Sequence, residues 1–297
     1  MSTRLAELLL LTALIVRSSS FLFSKVALSG LEPITLLCLR SLIAFLVLAV
    51  IFHKRLARMT KETIFHGAVI GGAFFTVMVF ELYGLRTTPA SVTSFIENTA
   101  IVFVPLFSIF LTRKLPGTST VLSATAALTG VAFLTLKSGG FSFATGELLC
   151  FGAALTYAAA ILITGRTAKE DDALTLGILQ NGFMGLFSIP AAFLAETPAM
   201  PTDTSTWLCV LILALFCSVI GFTLQPVAQK YMDTDRAGLF CAISPLSATL
   251  LSMLFLGESM DASGMIGAVC IMASLLISGL PLPSRKMGSS ACRSASR

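Results

Sequence analysis

Charged residues are scarce in this chain, and that scarcity limits the classes of protein it can be. Asp, Glu, Lys and Arg make up 12% of its 297 residues, whereas they make up roughly a quarter of a soluble domain. Hydrophobic residues reach 56% and the mean hydropathy is +0.91, which excludes a soluble globular protein. The basic residues lie between apolar runs and form no stripe, so the net charge of +5 does not indicate a nucleic-acid partner.

The signatures of ATP hydrolysis, intramembrane catalysis and metal binding are also missing. Without a GxxxxGK[ST] motif, any uphill transport must use an ion gradient or the substrate's own gradient. HExxH and GxSxG motifs are absent and no Asp lies in the middle of an apolar run, so an intramembrane enzyme stays a remote alternative. The seven cysteines form no CxxC pair, and we predict no disulfide framework, no metal site and no cofactor.

Long polar stretches are missing too, because ten apolar runs fill the chain almost from end to end. A membrane-spanning helix needs about 20 residues. We predict spans at 5–28, 33–52, 64–85, 89–112, 117–136, 146–165, 173–195, 207–229, 236–256 and 262–280. The start of the first run also resembles a cleaved signal peptide, but its apolar pattern resumes at Phe21 and continues to Leu28, which favours a full span.

The distribution of Lys and Arg predicts the orientation of the spans. When the N-terminus is placed in the cytoplasm, nearly all Lys and Arg residues between spans fall on the cytoplasmic side, and the other side holds only Arg86 and Lys137. The positive-inside rule therefore predicts that both termini are cytoplasmic. Because five spans in each half is an odd number, the second half enters the membrane from the opposite side.

The two halves share a pattern that indicates an internal repeat. Residues 83–115 align with residues 227–260, and each segment holds the end of one span, a polar turn, a span of small residues and a short turn before a Gly-rich span. Inverted five-span repeats are typical of transporters that work by alternating access.

Several motifs resemble those of the drug/metabolite transporter superfamily, in its EamA-type branch of ten-span exporters. Residues 242–245 and 254–258, Ala-Ile-Ser-Pro and Leu-Phe-Leu-Gly-Glu, are similar to its "P…LLGE" signature, and residues 17–25 to its opening "WGSSF…K". Leu39-Arg40-Ser41 resembles its span-two arginine. The sequence departs from the pattern at Arg17, which replaces a tryptophan, and at Thr112-Arg113, which replace Gly-Glu in the first half.

The resemblance implies an all-α membrane protein of ten transmembrane helices, arranged as two inverted five-helix repeats. The first repeat would cover 1–140 and the second 141–281, and we predict a disordered, basic cytoplasmic tail at 282–297. The implied activity is secondary transport of small molecules by alternating access.

Charged residues within the predicted spans are candidates for the substrate cavity, since a charge in hydrocarbon normally faces a cavity or a partner. Arg17 lies about 18 Å from either end of its span; it either lines a cavity or pairs with a carboxylate to hold the bundle. Arg40 lies roughly 10 Å deep, where snorkelling to the surface is also open to it. Glu97 lies about 12 Å deep, and with Asn98 it forms the best anionic candidate.

Two further charges lie closer to the outer ends of their spans. Lys25 is predicted to be an interfacial lysine. Glu81 is predicted to be interfacial, or paired with Arg40 or Arg86.

The second half contributes neutral polar residues within its spans: Tyr157, Gln180, Asn181 and Gln225. Such residues serve either as ligand contacts or as helix–helix hydrogen bonds. A cavity with a cationic wall and an amide wall suits a carboxylate or zwitterion such as an amino acid. A protonated Glu97 would also couple export to protons.

Four prolines fall inside predicted spans and are expected to kink them or free a carbonyl group. They are Pro105, Pro190, Pro226 and Pro245. Gly67 and Gly71 form a small-xxx-small pair that predicts close helix packing on span three.

The sequence therefore predicts a multi-pass secondary exporter of small metabolites in a bacterial cytoplasmic (inner) membrane. Its partners would be a small-molecule substrate and the lipid bilayer; the sequence leaves the oligomeric state open, with a monomer as one option. A facilitative carrier or importer of nucleoside-like or amphipathic drug-like molecules remains the alternative. A channel would be expected to show a ring of like charges or a filter, which the mixed lone charges here do not provide.

Overall fold

A computed structural model describes residues 3–112, 118–137, 140–141, 144–167, 171–221 and 243–279. Twelve α-helices and one π-helical segment account for most of these residues. The helices are α1 (Thr3–Ala27), α2 (Pro33–Ile51), α3 (His53–Leu56), α4 (Lys61–Thr87), α5 (Ala90–Asn98), α6 (Ala100–Thr112), α7 (Thr118–Thr135), α8 (Thr145–Thr167), α9 (Ala173–Ala195), α10 (Thr204–Ile212), α11 (Ile243–Leu256) and α12 (Ala262–Gly279). The π-helical segment (Leu213–Ile220) continues α10, and two-residue strands β1 (Leu136–Lys137) and β2 (Gly140–Phe141) pair antiparallel.

The helices have the length and composition of membrane spans. Within the described residues, five stretches are long and apolar enough to cross a bilayer: Pro33–Ile51, Lys61–Thr87, Ala90–Phe107, Thr145–Thr167 and Ala173–Ala195. Large apolar side chains remain exposed on the outside of the bundle, such as Phe193 at 73% and Leu194 at 88%. Such a surface suits lipid rather than water. The prediction of an all-α membrane protein is confirmed.

The fourth predicted span is interrupted rather than continuous. It divides into α5 and α6 at Thr99, whose N–H bonds to the carbonyl of Ile96 at 3.1 Å and whose own carbonyl accepts from Val102 at 2.9 Å. The Thr99 hydroxyl also donates to the Ile96 carbonyl at 2.6 Å. This side chain competes for the backbone acceptor and tightens the turn locally.

Helix contacts between the two halves come in matching pairs. The first span contacts the ninth (α1 with α11), and correspondingly the sixth contacts the fourth (α8 with α5 and α6). In the same way, span three contacts span six (α4 with α8). The corresponding contact after exchange of the halves is that of span eight with span one (α10 and the π-helical segment with α1). Spans two and seven pack on each other, as do five and ten. Exchanging the halves maps these contacts onto themselves, as expected for two related five-span units.

Glycines allow the closest helix approaches. A Cβ atom at Gly67 would lie 2.5 Å from the Cβ of Leu179, and one at Gly71 would lie 2.5 Å from the Cβ of Phe183. The small-xxx-small pair therefore packs α4 directly against α9, as predicted. At the contact of α7 with α12, a Cβ at Gly130 would lie 2.7 Å from the carbonyl oxygen of Gly267.

Replacing Gly130 by alanine is expected to destabilise the contact of α7 with α12. The new methyl group would lie 2.6 Å from Cγ1 of Ile271, so the two backbones must separate. Overpacking of this kind costs about 1–3 kcal/mol. Thermal unfolding of the purified protein in detergent should show a lower midpoint. Gly165→Ala is the control, because a Cβ there meets nothing within 4 Å; equal midpoints for the two variants would contradict this packing.

Candidate functional site

A cavity of about 550 Å³ lies between helices of both halves. Its polar lining consists of Arg17, Ser20, Arg40, Glu81, Glu97, Asn98, Tyr157, Thr164, Gln180, Cys217 and Ser244. Apolar side chains such as Phe74, Val77 and Met78 complete the walls. The lining extends to the exposed residues Gly165 and Ala173, where α8 ends and α9 begins. This end is the one that the charge distribution predicts to be cytoplasmic.

Arg17 is held against an aromatic ring. Its Nη2 donates a hydrogen bond to the hydroxyl of Tyr157, and its guanidinium carbon lies 5.2 Å from the centre of that ring. The ring of Phe74 meets Tyr157 edge-on, with 5.8 Å between the centroids. These contacts fix the cation at the cavity wall, where the sequence offered either a cavity position or a structural ion pair.

Arg40 brings unsatisfied donors to the cavity. The side chain is buried, with 4% of its surface exposed, so it does not snorkel. Its Nη2 donates to the hydroxyl of Ser218 at 3.4 Å, while Nε and Nη1 have no hydrogen-bond partner. A buried donor without a partner costs about 1–3 kcal/mol, and more when it is charged.

Two carboxyl groups face the same space. Glu97 is buried at 4% exposure, and its Oε2 accepts no hydrogen bond. Glu81 is buried at 2% exposure and lines the same cavity as Glu97. Of the alternatives predicted for Glu81, the interfacial position is wrong, because the side chain is buried in the cavity lining, which it shares with Arg40. Arg86, its suggested partner, instead binds Glu32 at 2.5 and 3.0 Å.

The remaining predicted site residues divide into three groups. Asn98 and Gln180 line the cavity, and Nε2 of Gln180 is buried without a partner. Asn181 is fully buried but outside the lining; its Nδ2 donates to the Gly177 carbonyl at 2.9 Å. Gln225 lies outside the described residues.

Three of the four predicted kink residues lie within described helices. Pro105 lies within α6, Pro190 within α9 and Pro245 within α11. Pro226 lies outside the described residues. Pro105 does not mark the break in its span, which occurs at Thr99, one to two turns earlier.

Metal binding finds no support in the described part of the chain, where no group of three or more His, Cys, Asp or Glu side chains could hold an ion.

The sequence and the geometry together match a known transporter family. A family model described as "EamA-like transporter family" matches residues 4–136 and 144–280 of this chain. The chain belongs to the EamA-like transporter family. It is thus an integral multi-pass membrane transporter, and the resemblance found in its motifs is confirmed.

Relatives of this EamA-like transporter cover almost its whole length. A protein of Archaeoglobus fulgidus named "Uncharacterized transporter" is 26% identical over 275 residues, which are 93% of this chain and 86% of the relative. The Bacillus subtilis protein "Uncharacterized transporter YetK" is 25% identical over 282 residues, 90% of this chain and 84% of the relative. A solved crystal structure with 21% identity has a TM-score of 0.67 over 93% of this chain and 96% of that one, which shows the same fold.

The family's Gly-Glu motif has a clear structural role in the second half of this EamA-like transporter. Gly257 follows α11 with φ of +64°, a conformation that side chains with a Cβ rarely adopt. The turn it forms lets the Glu258 carboxylate accept the backbone N–H of Ala90 at 2.7 Å and of Ser91 at 3.0 Å. The Ser91 hydroxyl donates to the same carboxylate at 2.7 Å. Glu258 therefore caps α5, a helix of the other half.

A second carboxylate caps a helix in the same manner. Glu196, directly after α9, accepts the backbone N–H of Ile34 at 2.8 Å and of Thr35 at 3.0 Å, together with the Thr35 hydroxyl at 3.0 Å. Helix N-termini leave N–H groups without internal partners, and a negative charge there is favourable. Both capping carboxylates join the second half to the first at the end of the bundle opposite Gly165 and Ala173.

Lys25 adds a further contact at the same end of the bundle. Its Nζ donates to the carbonyl oxygens of Leu85 at 2.7 Å and Thr88 at 2.9 Å, where α4 ends. The lysine predicted to be interfacial thus satisfies carbonyl groups that lack helical partners. Together with the two capping carboxylates it links helices at this end of the bundle.

The opposite end has its own contacts between α3, α4 and the start of α9. Asp171 binds Nδ1 of His66 at 2.6 Å and the Thr63 hydroxyl at 2.5 Å. These hydrogen bonds lower the pKa of the Asp171 carboxyl below its usual range. Arg55 and Asp172 form an exposed ion pair at 3.1 Å. Such pairs contribute little energy in water, so they do not hold this end firmly.

Proposed function

We propose that this protein is a secondary exporter of small zwitterionic metabolites, such as amino acids, in a bacterial cytoplasmic membrane. The observation that supports it most is the set of unsatisfied groups in one cavity: Nε and Nη1 of Arg40, Nε2 of Gln180 and Oε2 of Glu97. Arg40 and Gln180 donate, which suits a carboxylate. Oε2 of Glu97 accepts, which suits an ammonium group.

The size and walls of the cavity fit the same kind of ligand. Its volume lies within the usual range of about 300–1,000 Å³ for small-molecule sites. The apolar walls that include Phe74, Val77 and Met78 would accommodate an aliphatic or aromatic side chain. They also suit an amphipathic drug-like cation, so this class remains the second candidate.

Alternating access accounts for the two unlike ends. The cavity reaches exposed residues at the end predicted to be cytoplasmic, while Glu196 and Glu258 join the halves at the other end. In this state, substrate would enter from the cytoplasm. Release outside requires both carboxylates to leave their helix N-termini. One chain supplies the residues on every side of the cavity, so we expect a monomer to be sufficient.

Efflux from proteoliposomes tests this function. Vesicles are loaded with amino acids, nucleosides or amphipathic cations, with and without a pH gradient. We expect saturable efflux of an amino acid, and weaker efflux of both its amide, which lacks the carboxylate, and its N-acetyl derivative, which lacks the ammonium. Losing one charge-assisted contact of about 1.5–3 kcal/mol should weaken binding about ten- to a hundredfold.

Three outcomes of this experiment would contradict the proposal. Efflux of nucleosides or amphipathic cations without any amino acid would favour the second candidate. Equal efflux of the amino acid and both derivatives would remove the role of the two charges. Release that does not saturate would point to a channel instead of a carrier.

A further inference from the structure

A short basic segment, residues 53–61, joins α2 to α4 at the end of the bundle where the cavity reaches exposed residues. It holds four exposed Lys and Arg side chains: Lys54, Arg55, Arg58 and Lys61. Glu62, in the first turn of α4, is the only acidic residue between positions 53 and 66 of the sequence. Positive charge is therefore concentrated at one place on the surface.

Three of these four cations have no acidic partner. Arg55 pairs with Asp172 at 3.1 Å, but no ion pair among the described residues involves Lys54, Arg58 or Lys61. One exposed cation is ordinarily satisfied by water. Several cations within eight residues create a summed field that attracts an anionic surface.

Apolar side chains on both sides of the basic segment indicate its depth in the membrane. Val50, at the end of α2, is 74% exposed, and Phe65, near the start of α4, is 66% exposed. Such side chains suit the hydrocarbon of a bilayer. Phe65 lies four residues after Lys61, or about 6 Å along the helix axis. Because the headgroup region on each side of a bilayer is about 5–8 Å thick, the cations lie at the level of the lipid phosphates.

This arrangement fits a lipid better than a soluble anion. Arg58 can bind a phosphate through two N–H groups, and the two lysines act as point charges. A soluble anion would satisfy the cations and leave Val50 and Phe65 exposed. An anionic phospholipid supplies a phosphate for the cations and acyl chains for the apolar side chains.

We infer that the basic segment binds the headgroups of anionic phospholipids such as phosphatidylglycerol. The bound lipid lies beside the mouth of the cavity, because Arg55 holds the segment against Asp172 and the next residue, Ala173, lines the cavity. The inference does not depend on which substrate the protein transports.

Native mass spectrometry of the purified protein tests the inference. Protein in a nonionic detergent is titrated with phosphatidylglycerol or with phosphatidylcholine of the same acyl chains, and the apparent Kd of the first bound lipid is measured for each. We expect tighter binding of phosphatidylglycerol. Raising ammonium acetate from 0.1 to 1 M shortens the Debye length from about 10 to about 3 Å, and should weaken the binding of phosphatidylglycerol alone.

Two triple variants separate the charge of the segment from its shape. Each Lys or Arg near an anionic surface strengthens binding about fivefold. Lys54→Gln/Arg58→Gln/Lys61→Gln should therefore weaken phosphatidylglycerol binding up to about a hundredfold and leave phosphatidylcholine binding unchanged. Lys54→Arg/Arg58→Lys/Lys61→Arg keeps the three charges and should keep the preference. Without lipid, both variants should unfold at the wild-type midpoint, since the three side chains are exposed and form no ion pair.

Three results would overturn the inference. Equal affinity of the wild-type protein for the two lipids would show that the segment does not select anionic headgroups. An unchanged preference in the glutamine variant would assign the lipid to another surface. Full displacement of phosphatidylglycerol by an equal concentration of inorganic phosphate would assign the cations to a soluble anion.

Discussion

Replacing Arg40 by glutamine is expected to abolish measurable transport and, at the same time, to stabilise the empty protein. The guanidinium is buried and its Nε and Nη1 nitrogens have no hydrogen-bond partner, so removing the charge should stabilise the empty protein. The bound substrate loses its strongest carboxylate contact. Loss of a buried charge-assisted contact costs about 2–5 kcal/mol, or roughly thirty- to several-thousandfold in affinity.

The opposite signs of these two effects make the Arg40 prediction specific. Binding measured by exchange of labelled substrate should fall, while the thermal unfolding midpoint in detergent should rise. Arg55→Gln is the matched control: its ion pair with Asp172 is exposed, and we expect little change in either quantity. A lower midpoint with unchanged binding would show instead that Arg40 holds the bundle together.

Replacing Glu258 by glutamine is expected to open the end of the bundle that the two capping carboxylates close. A glutamine retains one acceptor oxygen, so α5 loses one charge-assisted N–H bond and the favourable charge at its N-terminus. The loss is about 1–2 kcal/mol, which shifts the equilibrium between closed and open states about five- to thirtyfold. Glu196→Gln should act in the same direction through α2.

A cysteine already present reports this opening. Cys150 in α8 is fully buried next to α5, and its thiol contacts the Thr93 hydroxyl at 3.5 Å. In a variant whose other cysteines are replaced by serine, a membrane-impermeant thiol reagent added from outside should label Cys150 faster when Glu258→Gln is introduced. Glu62→Gln lies near the other end and should leave the rate unchanged. Equal labelling with and without Glu258→Gln would show that the cap plays no part in closing this end.

The two halves of the protein supply different kinds of polar side chain to the cavity. Among the residues that the structure describes, the charged side chains of the cavity come from the first half: Arg17, Arg40, Glu81 and Glu97. Tyr157 and Gln180 come from the second. The sequence predicted this difference between the halves, because the charged residues within each predicted span can be identified from the sequence alone. It becomes one binding surface only because α8 packs on α4 and α9 packs on α2 and α4.

Depth within a span was a good guide for some residues and a poor one for others. Arg40 and Glu97 were predicted to be deep, and the structure buries both. Glu81 was predicted to be interfacial because it lies near the end of its apolar run. Counting along one helix does not show which way the helix turns its side chains or how far polar flanks extend it, and α4 runs from Lys61 to Thr87.

By itself, the sequence determined the membrane class, the number of spans, the close packing at Gly67 and Gly71 and the family. Those properties follow from the composition, from the lengths of the apolar runs and from local motifs. Each of these features depends on residues that are close together in the chain. Tertiary structure alone decided that Glu258 and Glu196 cap helices of the other half, that Glu81 and Glu97 line one cavity, and that Nε and Nη1 of Arg40 have no partner. The physical reason is that hydrogen bonds and charges act over a few ångströms, and only the packing of helices brings residues that are far apart in the chain within that range.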